Sequence, residues 1–253
     1  GLKADGKEKD ICHLIRCGWA GSQKYAVLTW SGDISSTFRA MREQLQAGLS
    51  MGMAGIPWWT SDIGGFLGGQ VDDPAFRELL VRWFQWACFC PVFRMHGERS
   101  PWYEREQEYI GDVRQLTSGQ SNEVWSFGDE VYEILRKYLF VRERMRPYIR
   151  EVMRAAHEHG DPVMRPLFYG FPADKAAWSV EDEYLFGADV LVAPVLEAGA
   201  RERDVYLPAG ADWMDAATGA EYAGGQTVRM DAPLDPMPVL IRKGSGVRVY
   251  SDD

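Results

Sequence analysis

The sequence is poor in cysteine and histidine, with four of each, and it contains a single asparagine, Asn122. It has no run of five residues of one charge, and its formal net charge is −9. Nucleic acids and anionic membranes both bind proteins through clusters of basic residues. The negative net charge therefore argues against either partner. No apolar run reaches the 18 residues expected of a membrane span.

The same scarcity bears on metals and on the cellular compartment. Cys12, Cys17, Cys88 and Cys90 all stand in apolar surroundings, which predicts buried and reduced thiols. Cys88 and Cys90 have no histidine or cysteine partner at zinc spacing, so no metal site is expected. No signal peptide is visible. The cysteine usage, together with a single asparagine that lies outside any N-x-Ser/Thr sequon, favours a bacterial cytoplasmic protein.

Apolar and aromatic residues, in contrast, are abundant. Hydrophobic residues make up 46% of the 253 positions, and there are ten Trp, eleven Tyr and eleven Phe. This composition is typical of a globular protein, and the length suits one large domain or two ordinary ones.

Short apolar runs alternate with helical patterns over the first 160 residues. The candidate strands are residues 11–17, 25–30, 54–59 and 90–97. The candidate helices are one from Ser35 or Ser36 to Gly52, one opened by Asp73 and Pro74, and one over residues 129–159 that is ended by Gly160. Strands that are apolar on both faces and separated by helices predict a parallel sheet, in a (β/α) barrel or a doubly wound fold.

The pattern changes after Pro162. Short alternating runs separated by Gly, Pro and Asp predict an antiparallel β domain, such as a sandwich. We therefore divide the chain into an α/β region at residues 1–170 and a β region at residues 171–253.

The motif Trp–x–x–Asp–Ile occurs twice, at residues 30–34 and 59–63, each time at the end of a candidate strand. Strand ends of a (β/α) barrel meet at one rim, so Asp33 and Asp62 are predicted to be neighbours, with Arg16 and His96 beside them. Carboxylates accept hydrogen bonds from sugar hydroxyls, Arg and His donate them, and Trp rings cover the apolar face of a sugar. The alternative is that the aspartates only cap helices and that Arg16 forms a structural ion pair.

Six stretches in order carry a family likeness: LIRCGWAGSQKY, WSGDISSTF, AGLSMGMAGIPWWTSDIGGF, PVFRMHG, RPYIREVMRAAHEHGDPVMRPLFYGFP and EYLFGADVLVAPVLEAG. Over essentially its whole length the chain resembles glycoside hydrolase family 31, the α-glucosidase and α-xylosidase family. The resemblance implies an α/β fold in which the chain supplies strands five to eight of a (β/α)8 TIM-type barrel, followed by the proximal C-terminal β-sandwich domain.

The same resemblance implies roles for individual residues. Asp33, in the Ser-Gly-Asp motif, corresponds to the general acid/base of a retaining glycosidase. Asp62, in the Asp-Ile-Gly-Gly-Phe motif, corresponds to a carboxylate that binds the sugar. The other implied substrate-binding residues are Arg16, Trp30, Trp59, Phe66 and His96.

The family's nucleophile is missing from this sequence. It is an Asp at the end of barrel strand four, in a W-x-D-x-x-E stretch or one like it, and no such stretch occurs here. We therefore expect a fragment that is inactive alone and is completed by the N-terminal half of the same polypeptide. The expected reaction releases terminal α-linked glucose or xylose from an oligosaccharide and needs no cofactor.

Three other functions remain open at this point. A relative could bind sugars without chemistry, or transfer a glycosyl group in place of hydrolysing it. A metal-dependent barrel hydrolase is disfavoured, because no two of the four histidines pair at strand ends. The released sugar can be either glucose or xylose as far as the sequence is concerned, and the protein can form a homo-oligomer.

Overall fold

The computed structural model describes residues 4–7, 11–101, 109–110, 113–114 and 119–250. In its first part, three parallel strands form one sheet. These strands are β1 (His13–Ile15), β2 (Val27–Trp30) and β3 (Trp59–Thr60), and they lie in the order β1-β2-β3. The prediction of successive parallel strands is confirmed for these three.

Helices follow the second and third strands, as in a barrel. They are α1 (Phe38–Met53) and α2 (Pro74–Ala87). Asp73 caps α2 by accepting a hydrogen bond from the Ala75 amide, as the Asp-Pro pair predicts. The predicted serine cap of α1 is wrong, because the Thr37 hydroxyl accepts from the Ala40 amide.

The predicted strand at residues 90–97 is also wrong, since the structure assigns no strand there. The segment nevertheless runs beside β3, where the Val92 amide donates to the Trp59 carbonyl at 3.2 Å. The Thr60 hydroxyl donates back to the Val92 carbonyl at 3.1 Å.

Two small strand pairs belong to the same part of the chain. A parallel pair joins β4 (Gly69–Gln70) to β5 (Arg99–Ser100). An antiparallel pair joins β6 (Tyr109–Ile110) to β7 (Val113–Arg114).

The predicted single helix over residues 129–159 is two helices, α3 (Asp129–Arg144) and α4 (Arg146–His159). The break at Met145 is explained by Pro147, which has no amide hydrogen to continue the α3 ladder. Gly160 ends α4 with a left-handed φ of 76°, as predicted.

The C-terminal part is β-rich and antiparallel, as predicted. The strands of its larger sheet are β8 (Met164–Arg165), β9 (Tyr184–Phe186), β10 (Val190–Val192), β12 (Trp213–Asp215), β13 (Glu221–Tyr222) and β15 (Val239–Arg242). They lie in the order β13-β12-β15-β10-β9-β8. A short helix, α5 (Leu167–Gly170), follows β8.

A separate antiparallel pair, β11 (Glu202–Leu207) with β14 (Gln226–Asp231), packs against this sheet. Val205 and Met230 from the pair share a core with Leu191 and Leu240 from the sheet. The division of the chain after residue 170 stays a prediction.

A buried arginine of α2 joins the two parts of the molecule. Arg82 is fully buried and donates to the carbonyls of Ala200, Ala232 and Pro233 at 3.1, 2.9 and 2.7 Å. Charge-assisted bonds of this kind fix the C-terminal part against the α2 helix.

The cysteines divide into two classes. Cys88 and Cys90 are buried, as predicted, and burial raises the pKa of Cys88 to about 12. The same prediction is wrong for Cys12 and Cys17, which are exposed at either end of β1. The described helices are all too short or too polar to cross a lipid bilayer.

Candidate active site

Three charged residues follow the three parallel strands of the first sheet. Arg16 comes directly after β1, Asp33 lies three residues beyond β2, and Asp62 lies two residues beyond β3. Since the strands are parallel, their carboxyl ends meet at one edge, the edge where (β/α) barrels carry their chemistry.

The two loops that carry the aspartates are joined by their backbones. The amides of Phe66 and Leu67 both donate to the Ile34 carbonyl, at 2.7 and 2.9 Å, and the Ser36 amide donates to the Leu67 carbonyl at 2.8 Å. Gly65 makes this approach possible, because a Cβ there would lie 2.6 Å from the Ser36 Cα. Its φ of 77° also favours glycine, so the two loops form one unit.

Asp33 stands at the open side of this unit. Its carboxylate lies 3.4 Å from the Arg16 guanidinium, and the two side chains are 45% and 60% exposed. Asp33 does not cap the following helix, because the cap of α1 is Thr37. An exposed pair of this kind contributes little to stability and leaves the Asp33 carboxyl accessible to a ligand.

Asp62, in contrast, is fully buried. The Arg94 guanidinium donates to its Oδ1, while Oδ2 is buried without a hydrogen-bond partner among the described residues. Burial raises the pKa of Asp62, and the hydrogen bond and charge of Arg94, together with the charge on His96, act in the opposite direction. The charge on Asp33 also reaches Asp62, which places the two carboxyl groups in one electrostatic site.

Aromatic rings border the charged residues. The guanidinium carbons of Arg16 and Arg94 each lie 5.8 Å from the centre of the Trp30 ring, within cation–π range. The Phe66 ring lies 5.4 Å from the exposed His96 ring. The structure therefore brings six of the seven sequence-predicted residues together, namely Arg16, Trp30, Asp33, Asp62, Phe66 and His96.

The seventh residue, Trp59, lies elsewhere. It is 4% exposed and belongs to the hydrophobic core. Its indole packs against Gly48 of α1, where an added Cβ would come within 2.8 Å of the ring. Trp59 thus occupies the space between β3 and the helix layer.

The sequence analysis missed one member of the site, Arg94. The signal that could have found it is its position two residues before His96 in an extended segment, because alternate residues of an extended chain point to the same side. A buried carboxylate such as Asp62 also requires a cationic or hydrogen-bonding partner, and Arg94 supplies both.

The site combines an exposed carboxyl group, a buried carboxylate with one unpaired oxygen, two arginines, a histidine and two aromatic rings. The unpaired oxygen can accept a hydrogen bond from a hydroxyl group. The arginines and the histidine can donate to other hydroxyls, and the rings can cover an apolar ring face. Such a set suits a polyhydroxylated ring and proton transfer to an oxygen attached to it.

Comparison with known proteins gives matches over both parts of the chain. Residues 1–152 match the glycosyl hydrolases family 31 TIM-barrel domain, and residues 160–247 match the glycosyl hydrolase family 31 C-terminal domain. A crystal structure of a family 31 α-xylosidase from a soil metagenome, complexed with xylose, is similar with a TM-score of 0.93 and 55% identity. That match covers 96% of this chain and 36% of the other.

Two curated relatives are similar at lower identity. The α-xylosidase of Saccharolobus solfataricus is 34% identical over 94% of this chain and 30% of its own length. α-Glucosidase 2 of Bacillus thermoamyloliquefaciens is 35% identical over 92% of this chain and 27% of its own length. The chain thus spans less than a third of the length of either curated relative.

Proposed function

Because this chain belongs to glycosyl hydrolase family 31, we propose that its protein is a retaining, exo-acting α-glycosidase that releases terminal α-linked xylose from oligosaccharides. The observation that carries the proposal is the pairing of an exposed Asp33 with a buried, half-unpaired Asp62 in one backbone-joined unit. One carboxyl group is accessible for proton transfer, and the other is preorganised to accept a hydrogen bond from the sugar.

In this mechanism Asp33 is the general acid/base. It protonates the departing glycosidic oxygen while a second carboxylate attacks the anomeric carbon and forms a glycosyl-enzyme. Asp33 then removes a proton from the water that releases the sugar. The attacking carboxylate comes from outside this chain, in the N-terminal half of the barrel of the same polypeptide. The chain's coverage of only 36% of the similar xylose-bound structure supports such a further segment.

The remaining residues hold the sugar ring. Asp62 accepts a hydrogen bond from a ring hydroxyl through Oδ2, and Arg94 holds the carboxyl group in place and favours its ionised form. Arg16 and His96 donate to other hydroxyls. Trp30 and Phe66 border the sugar ring. Trp59 packs between β3 and α1 and makes no contact with the substrate. Hydrogen bonds of this set that strengthen as positive charge develops on the ring lower the barrier.

Xylose is placed before glucose on the strength of the xylose-bound structure, which is 55% identical over 96% of this chain. The two curated relatives do not separate the sugars, since the α-xylosidase is 34% identical and the α-glucosidase 35%. The test uses the full-length protein with nitrophenyl α-xyloside, nitrophenyl α-glucoside and intact disaccharides. Turnover of the xyloside is expected, with net retention of anomeric configuration by NMR. Turnover of the glucoside alone would move the substrate class to glucose, and sugar binding without turnover of any substrate would contradict the enzymatic proposal.

A further inference from the structure

A second arginine, Arg99, follows Arg94 in the chain and binds the backbone of the loop that carries Asp62. Arg99 lies in β5 and is fully buried. Its Nη2 donates to the Ile63 carbonyl and its Nη1 to the Gly65 carbonyl, both at 2.9 Å. Its Nε donates to Oδ1 of Asn122 at 2.7 Å. Among the described residues it takes part in no salt bridge, so a buried cation is held by neutral acceptors.

The space around this guanidinium is kept free by glycines. A Cβ at Gly97 would lie 2.5 Å from Nη1, one at Gly69 would lie 3.0 Å from it, and one at Gly64 would lie 3.2 Å from Nη2. The Phe76 ring covers the guanidinium, with 4.9 Å between Cζ and the ring centre. The surroundings therefore fit a planar guanidinium and leave little freedom to move it.

The two carbonyls that Arg99 binds lie between the two functional residues of the loop, Asp62 and Phe66. Ile63 directly follows Asp62, and Gly65 directly precedes Phe66. We propose that Arg99 is a positioning residue that fixes the Asp62 carboxylate and the Phe66 ring for binding of the sugar. This inference rests on the proposed function, since it assigns Arg99 to the substrate subsite formed by those two side chains.

Arginine suits this task for a geometric reason. Its five N–H donors form a rigid fork, so one side chain can reach two carbonyls two residues apart together with an amide oxygen. A lysine carries its donors on a single atom and cannot hold both carbonyls in that geometry. The charge of Asp62 also reaches Arg99: burial lowers the pKa of Arg99 to about 10, and Asp62 acts in the opposite direction.

The experiment compares Arg99→Lys with Arg82→Lys in the full-length protein. Arg82 is the matched control, because it is an equally buried arginine that donates to backbone carbonyls, but at the junction with the C-terminal part. Both variants are expected to lower the thermal midpoint. Only Arg99→Lys is expected to weaken xylose binding in calorimetry and to raise KM, each by about tenfold, because a small displacement of a binding group has a large effect. Arg82→Lys should stay within about twofold of wild type in both quantities.

A milder variant covers the case in which Arg99→Lys does not fold. Asn122→Ala removes one acceptor and leaves both loop carbonyls bound, so it should weaken xylose binding in the same direction and by less. If Arg99→Lys, or Asn122→Ala in its place, loses stability with unchanged xylose affinity and KM, the positioning role is overturned. If the wild-type protein neither binds xylose nor hydrolyses either glycoside, the proposed function fails and takes this inference with it.

Discussion

The two Trp–x–x–Asp–Ile stretches end neighbouring strands, yet they place their aspartates in opposite surroundings. Asp33 is 45% exposed and faces an exposed arginine at 3.4 Å. Asp62 is 0% exposed and is bound by Arg94, whose side chain is 22% exposed. The local sequence is nearly the same, so the difference comes from what packs over each loop. One carboxyl group is left free to exchange a proton, and the other is held as a hydrogen-bond acceptor, a division of roles set by environment.

The largest expected effect comes from replacing the exposed carboxyl group. Asp33→Asn should lower kcat/KM for an intact disaccharide by about 10²–10⁴, because the leaving oxygen loses its proton donor. The loss in the first step should be far smaller for a nitrophenyl glycoside, whose leaving group needs no protonation. Asp204→Asn, at an exposed position of β11, is the control. Equal losses on both substrates would show that Asp33 does not act as the acid.

The next effect tests the buried pair through stability. Arg94→Met leaves Asp62 buried without its cation and should cost on the order of 3–5 kcal/mol of the free energy of unfolding at neutral pH. A carboxyl group whose pKa is higher in the folded than in the unfolded state stabilises the folded protein fully at pH values below its unfolded-state pKa. This contribution is lost as the pH rises through the folded-state pKa. The loss in Arg94→Met should therefore shrink as the pH falls, because Asp62 takes up a proton.

Denaturant unfolding at several pH values measures this effect. Arg39→Met, which removes an exposed pair with Glu43 on α1, is the control and should change little at any pH. A loss of stability in Arg94→Met that stayed constant between acid and neutral pH would mean that the loss does not come from the unpaired charge of Asp62.

A third prediction tests whether the two loops act as one unit. Gly65→Ala and Gly68→Ala both place a side chain at a left-handed φ, of 77° and 87°, at a cost of about 1–2 kcal/mol each. Only at Gly65 does the new Cβ meet the neighbouring loop, 2.6 Å from the Ser36 Cα, whereas nothing lies within 4 Å of one at Gly68. Gly65→Ala should therefore be the less stable variant by at least about 1 kcal/mol and should also raise KM. Equal unfolding energies with equal KM values would refute the coupling of the loops.

The features that could be predicted from the sequence are those set by local chemistry. Parallel strands follow from apolar runs separated by helices, the Asp73–Pro74 helix start from the cap and the first-turn proline, and the helix end at Gly160 from glycine at a left-handed position. The proximity of Asp33 and Asp62 follows in turn, since equivalent positions after neighbouring parallel strands lie at the same edge of the sheet.

The features that could not be predicted depend on contacts across the fold. Strands that are apolar on both faces have no period, so nothing in the sequence indicated that Trp59 faces α1. Burial of Cys12 was expected from an apolar run, but β1 has a strand neighbour on one side only in the described sheet. Arg94 lies in a segment with no assigned strand and Arg99 lies in the short strand β5, and the acceptors that they bind in the loop of Asp62 lie more than thirty residues away in the chain.

The smallest effect on stability is expected on the exposed side of the comparison. Arg16→Met removes the partner of Asp33, and because the two side chains are 60% and 45% exposed, the free energy of unfolding should change by no more than about 1 kcal/mol. The same substitution removes a donor to the sugar, so KM for the xyloside should rise while the unfolding midpoint stays almost constant. This separation of binding from stability is the reverse of the behaviour expected for Arg94→Met. A decrease of several kcal/mol in the free energy of unfolding of Arg16→Met would mean that Arg16 and Asp33 form a structural ion pair. The two aspartates would then not differ in role as described above.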